Sequence, residues 1–137
     1  MIDQLELSLR NQPSEIARAQ DELERFAARN AVPKRPLHDV QLALEEHLAN
    51  LVRHAYSDDR EHRIQVQFQL EQHQLRVEVE DDGKPFNPLE QPPPDLSLPL
   101  DQRPIGGLGL HMIRKSLDHV EYRRVETHNI LVMIKRV

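Results

Sequence analysis

The run LHDVQLALEEHLANLVRHA, Leu37 to Ala55, decides the fold. Leu37, Val40, Leu44, Leu48, Leu51, Val52 and Ala55 recur at steps of three and four behind Pro36, which predicts a long amphipathic helix with one face in the core. The period then changes to two. Ile64, Val66, Phe68 and Leu70 alternate with Gln65, Gln67 and Gln69, and Leu75, Val77 and Val79 alternate with Arg76 and Glu78 across the polar linker Glu71 to Gln74. That pattern predicts an antiparallel hairpin with one wet face, whose dry face the helix can cover.

Toward the N-terminus, Leu5, Leu7 and Leu9 alternate as a short strand. Pro13 and Ser14 then supply a turn and an N-cap for a first helix over roughly residues 14 to 30, marked by Ile16, Leu23, Phe26 and Ala27 and closed by Asn30 and Pro33. Toward the C-terminus, Leu110, Ile113, Leu117 and Val120 predict a third helix, and Val120 to Val125 with Ile130 to Val137 a closing hairpin turning at Glu126 to Asn129. Between the two halves, Pro85 to Pro104 holds seven of the ten prolines, which forbids a regular element and marks a long functional or disordered loop. The order strand, helix, helix, two strands, loop, helix, two strands predicts an α+β two-layer sandwich, a mostly antiparallel mixed sheet with helices on one face.

Composition narrows the function. With 137 residues, 38% hydrophobic and 30% charged, the chain suits one domain. Eighteen Lys and Arg against 23 Asp and Glu give a net charge of −5, so no basic field draws it to nucleic acid or anionic lipid, and a protein partner or small ligand is expected. The longest apolar run, Ile130 to Ile134, is far below the ~20 residues of a membrane span, and the N-terminus lacks a signal-peptide layout, which predicts a cytoplasmic protein. Having no cysteine, the chain has neither disulfide, thiolate nucleophile nor Cys-ligated metal. The eight histidines include no i, i+4 pair on a predicted helix, so a zinc helix is not expected and they read as surface residues.

Three segments carry candidate chemistry. Of only four glycines, Gly83 ends the second hairpin strand, and Gly106, Gly107 and Gly109 open the third helix. The Gly106-Gly107-Leu108-Gly109-Leu110 segment reads as a phosphate cradle, where bare N–H groups and a helix dipole meet an anion, or equally as a loop-to-helix hinge. On the long helix, Glu46, Asn50 and His54 fall at i, i+4, i+8, away from Leu44, Leu48, Leu51 and Ala55. A carboxylate and an amide so spaced can supply a general base and an oxygen ligand for Mg²⁺, and small Ala43 and Ala49 leave room beside them. The same spacing also describes a solvated polar face. In Val79-Glu80-Asp81-Asp82-Gly83-Lys84-Pro85-Phe86, Asp81 can accept a hydrogen bond from an exocyclic amine, with Gly83 letting a base lie close; the alternative is an ordinary Asp-Gly turn.

Together these segments resemble a known family. Glu46-x-x-x-Asn50 on a helix, Asp81-x-Gly83-x-x-Phe86 after a strand, a long loop, then Gly107-x-Gly109-Leu110 opening a helix look like the N, G1 and G2 boxes of the GHKL ATPases: gyrase, MutL, the histidine kinases and the heat-shock chaperone. The short chain, read as carrying no appended domain, the Leu44-Glu45-Glu46 to His54-Ala55-Tyr56 wording and the Gly106-to-Ile113 wording resemble the anti-sigma-factor serine/threonine kinases. The match covers nearly the whole chain.

The resemblance implies a Bergerat-type ATP-binding fold over residues 1–137, with an ATP lid at about 87–105. It implies that Asp81 binds the adenine amine, that Asn50 holds Mg²⁺ with His54 nearby, that Gly83, Phe86, Gly107, Gly109 and Leu110 shape the ATP site, and that Glu46 is the base for an attacking serine hydroxyl. It further implies a STAS-type anti-anti-sigma partner, a sigma factor that is sequestered, and a homodimer formed through the first strand and helix. Two departures stand out. Family members often carry Gly-Thr ahead of the last strand, where the Thr hydroxyl helps seat adenine, whereas this chain has Asn129-Ile130. The lid has Arg103 as its only basic residue. An ATP-gated binding module without phosphoryl transfer is the alternative function, against which the presence of Glu46 weighs. A histidine-kinase catalytic domain is disfavoured by a chain that begins at a strand with no dimerisation helices before it.

Overall fold

The computed structural model describes residues 2–90, 97 and 114–137. Strand β1 (Asp3–Arg10) leads into helix α1 (Pro13–Arg29), helix α2 (Lys34–His54), the hairpin β2 (Arg63–Glu71) and β3 (Gln74–Asp81), a short 3₁₀ turn at Pro88–Glu90, and the closing hairpin β4 (His119–Val125) and β5 (His128–Arg136). The sheet order is β1-β2-β3-β5-β4, and all four pairings are antiparallel. The α+β architecture is the one the periodicities predict, with no parallel pair among the described residues.

The core lies where the two helices meet one face of the sheet. Ala19, Leu23 and Phe26 of α1 and Val40, Ala43, Leu44, Leu48 and Leu51 of α2 are buried with Leu7, Leu9, Ile64, Val66, Phe68, Leu75, Val77, Val79, Leu131 and Met133. β1, β2 and β3 contribute alternate residues and keep a polar opposite face, whereas β5 is apolar on both faces, with Val132 buried on the face opposite Leu131 and Met133. Phe26 and Phe68 join the layers with ring centroids 6.0 Å apart. Burying a large aliphatic or aromatic side chain contributes about 1.5–3 kcal/mol, so this cluster, more than helix propensity, holds α1 and α2 in place.

Local chemistry sets the element ends. The α1 start differs from expectation: the N-cap is Gln12 in an extended conformation, with Pro13 at the first helical position and Ser14 already inside the first turn. Proline's fixed φ suits that position and moves the boundary one residue upstream. Glu15, in the first turn, accepts the Arg10 backbone N–H at 3.0 Å. At the other end, Asn30 Nδ2 donates to the Phe26 carbonyl at 2.9 Å and to Asp3 at 2.8 Å, tying the helix end to β1. Between β2 and β3 only Gln72 and His73 remain outside the strands, both with positive φ (51° and 63°), the conformation that matches a two-residue turn to the strand twist. Of the third helix, residues 114–116 are described and are helical; its earlier turns lie outside the described residues. Among the described residues no helix is long and apolar enough to cross a membrane.

Among the described residues, one histidine is buried rather than at the surface. His47 stands on α2 between Leu44, Leu48 and Leu51, is 3% exposed, and neither ring nitrogen has a partner among the described residues. Its place on the apolar stripe outweighs its residue type. Burial alone pushes its pKa from 6.5 down to about 4. Below the first value only the unfolded chain takes up this proton, so stability is full above it and falls toward the second, at about 1.4 kcal/mol per pH unit. His47→Leu is expected to raise stability at pH 7.5 by on the order of 1 kcal/mol, by removing unpaired buried polar atoms, and to make the acid slope shallower. Urea unfolding at pH 7.5, 6 and 5 measures both effects; identical acid slopes in the two proteins would refute this account of His47.

Candidate functional site

The last turns of α2 and the turn after β3 form the two walls of a small cleft, lined by Asn50, Leu51, His54 and Ala55 on one side and Lys84 and Phe86 on the other. The walls are joined at the base. Lys84 N–H donates to the Ala55 carbonyl at 3.0 Å, and a Cβ on Gly83 would lie 2.7 Å from both Ala55 Cβ and Ala55 O. Glycine is therefore required at 83 by the close approach of α2 itself. Three of the candidate residues named from sequence, Asn50, His54 and Phe86, meet at this cleft, and Gly83 closes its end. Gly107, Gly109 and Leu110 lie outside the described residues, as does most of the expected lid.

Asp81 ends β3 beside this cleft and is 1% exposed. Its Oδ1 accepts the Gly83 N–H at 2.9 Å and Asn129 Nδ2 at 3.0 Å. Its Oδ2 is buried and has no partner among the described residues. Desolvation raises the Asp81 pKa first of all; the bonds from Asn129 and Gly83 oppose that, Asp82 adds to it, and Arg124 opposes it. A buried carboxylate with one oxygen satisfied and the other free is costly unless a ligand completes it.

On α2, Glu46 is half-buried, and its Oε1 is a second buried oxygen without a partner among the described residues. Burial is the main cause raising its pKa, which Arg53 counteracts and Glu45 reinforces. One turn on, Asn50 is buried at the cleft wall, and a further turn on, His54 is exposed at its rim. Along the stripe, burial is deepest at Asn50, with Glu46 half-buried before it and His54 exposed after it.

Sequence reasoning marked Asn129 only as a departure from Gly-Thr and missed Tyr122, Arg124 and the bonds that brace Asp81. Asn129, opposite Asp81 in the β3–β5 register, also donates to the Lys84 carbonyl at 2.9 Å. Its Oδ1 accepts Tyr122 Oη at 2.5 Å and Arg124 at 3.1 Å, and Arg124 also donates to the Gly83 carbonyl at 2.9 Å. The neighbouring turn is tied down separately by His62, whose ring stacks on Tyr56 at 4.2 Å and bridges Asp58 at 2.7 Å and Asp82 at 3.2 Å. Asp58 is the main cause that raises the His62 pKa. Only the strand pairing and the folding back of residues 56–62 create these contacts.

The fold and site thus define an α+β domain with a single antiparallel sheet, a helix pair on one face and a buried, under-satisfied aspartate next to the turn that walls the cleft. The sequence matches the histidine kinase-like ATPase domain family over residues 9–135, and the chain belongs to that family. It is 30% identical to the serine-protein kinase RsbW of Bacillus subtilis (strain 168) over 132 residues, covering 93% of this chain and 80% of that protein. The RsbW of Listeria monocytogenes is 28% identical over 125 residues, 88% of this chain and 80% of that protein. Among solved structures, the RsbU and RsbW domains of a Mycobacterium tuberculosis protein superpose with a TM-score of 0.72 at 17% identity, covering 98% of this chain and 32% of that one. The histidine kinase domain of a blue-light activated kinase of Erythrobacter litoralis EL346 gives 0.58 at 20% identity, covering 90% of this chain and 59% of that one. Both likenesses bear on the fold.

Because an added methyl at Gly83 meets backbone and Cβ atoms of Ala55, Gly83→Ala is expected to cost about 1–3 kcal/mol by forcing α2 and the turn apart. Chemical denaturation measures it; a change below about 0.5 kcal/mol would show that the two walls are not held in contact.

Proposed function

We propose that the chain is a Mg-ATP-dependent serine/threonine protein kinase acting as an anti-sigma factor, which phosphorylates a serine of a STAS-type anti-anti-sigma partner and sequesters a sigma factor. The observation that carries the nucleotide half of this reading is the free, buried Oδ2 of Asp81: an exocyclic amine supplies the donor it lacks. The relatives named serine-protein kinase support the transfer half.

In this reading Asp81 accepts the adenine amine, Gly83 keeps the turn against Ala55 so that the cleft stays formed, and Phe86 offers its ring to the base. Asn50, with His54 at the rim, is placed to hold Mg²⁺, which neutralises phosphate charge when bound. Glu46 takes the proton of the attacking serine hydroxyl as the serine oxygen bonds to phosphorus and the bond to the departing diphosphate breaks. Burial of Glu46 favours that role, since a raised pKa makes a carboxylate a stronger proton acceptor. Residues 87–105 act as the ATP lid, and β1 with α1 forms the interface of a homodimer. The protein works in the cytoplasm.

Incubation with radiolabelled ATP, Mg²⁺ and candidate partner proteins tests the reading, with label expected on a partner serine. Glu46→Gln preserves size, so nucleotide affinity and partner binding should persist while phosphorylation falls by about 10²–10⁴. Phosphorylation at the parental rate would place the base elsewhere, and no transfer by the parent to any cognate partner would favour an ATP-gated binding module. Asn50→Ala should weaken Mg-ATP far more than metal-free ATP, because a lost oxygen ligand matters only when the ion is present. Calorimetry with and without EDTA distinguishes this from a general loss of affinity.

A further inference from the structure

Asn129 has a chemistry of its own. Its two N–H donors face two acceptors, Asp81 Oδ1 at 3.0 Å and the Lys84 carbonyl at 2.9 Å, with the Gly83 carbonyl at 3.5 Å. Its oxygen faces donors: Tyr122 Oη at 2.5 Å, Arg124 at 3.1 Å and the Phe86 N–H at 3.4 Å. Rotating the carboxamide by 180° would set an oxygen against a carboxylate and a carbonyl, and an NH₂ against a guanidinium, so only one orientation is permitted. The side chain is 4% exposed and has no donor left for a ligand. Asn129 therefore cannot read a base; what it can do is fix the oxygen that does.

We propose that Asn129, locked by Tyr122 and Arg124, is the positioning residue that sets purine selectivity, by holding Asp81 through Oδ1 so that Oδ2 alone meets the ligand. This rests on the nucleotide reading above. A single fixed acceptor selects a purine carrying an amine at its six-position over one carrying a carbonyl, because the carbonyl would face the carboxylate with no proton between them. Without the lock the carboxylate can turn about its Cβ–Cγ bond and recruit water, and the penalty against the carbonyl fades. Tyr122 and Arg124 lie on β4, the sheet edge, and their hydrogen bonds go to Asn129 and the Gly83 carbonyl; Arg124 adds a direct charge effect on Asp81, so Tyr122 is the cleaner probe of the lock.

The test compares dissociation constants for ATP and ITP, which differ in the six-position group and in the proton that ITP carries on the adjacent N1, in the unchanged chain, Tyr122→Phe and Asn129→Ala, each checked for folding by ligand-free thermal melting. The unchanged chain is expected to prefer ATP by tenfold or more, and both variants to lose most of that ratio, Asn129→Ala the more completely. Should Asn129→Ala unfold, Tyr122→Phe decides alone, since it deletes one hydroxyl and leaves the ring. A folded variant that loses ATP and ITP affinity in equal proportion, or retains the full ratio, overturns the proposal while leaving the nucleotide reading intact. Binding of neither nucleotide by the unchanged chain overturns both.

Discussion

β3 pairs with β5 in a register that sets Asp81 opposite Asn129, and residues opposite one another in an antiparallel pair project from the same face. That pairing brings a carboxylate and a carboxamide 48 positions apart into contact at 3.0 Å. From this contact the turn through Gly83 and Lys84 is aimed: Gly83 N–H goes to Asp81, the Lys84 carbonyl accepts Asn129, and the Lys84 N–H reaches the end of α2. A slip of one residue between the two strands would turn Asp81 to the polar face of the sheet and dissolve the knot.

Helix α2 has to serve two environments at once. Its apolar stripe is buried against the sheet, while the candidate stripe holds Glu46 half-buried, Asn50 buried and His54 exposed. The packing that fixes the helix is also what dries Glu46 and His47, raising the pKa of one and lowering that of the other. Desolvation has opposite signs for an acid and a base, so a single buried flank yields a carboxylate that holds protons more tightly and an imidazole that refuses them. The unpaired oxygens of Asp81 and Glu46 belong to the same logic: the fold meets the cost of stripping them of water without giving either a protein partner among the described residues.

The fold was legible wherever its signal was local. The spacing of Leu44, Leu48 and Leu51, the alternation in Ile64 to Leu70 and Leu75 to Val79, and the closing hairpin are periodicities within single elements, and α1, α2 and the five strands form there; Val120, read also into a third helix, belongs to β4, and β5 begins at His128, inside the expected turn. What escaped was set between elements or by competing preferences. Pro13 displaced Ser14 from the N-cap because a proline ring already fixes the dihedral the first helical residue needs. His47 reads as a surface residue by type, while its spacing from Leu44 and Leu51 places it in the core. For the candidate site, Glu46, Asn50, Asp81, Gly83 and Phe86 could be picked out by spacing within short segments. Asn129 stood out only as a departure from the family's Gly-Thr, and its bond to Asp81, like the parts of Tyr122 and Arg124, could not be read, because the register of β3 on β5 is a tertiary quantity that no window of sequence contains.

The central claim is that the free oxygen of Asp81 is completed by the amine of a bound purine. The most direct measurement is a crystal structure with a non-hydrolysable ATP analogue and Mg²⁺. The account predicts the adenine amine about 2.9 Å from Asp81 Oδ2, with Oδ1 still held by Gly83 and Asn129. A base bound elsewhere, or an Asp81 Oδ2 satisfied by the protein while the nucleotide occupies the cleft, would contradict it.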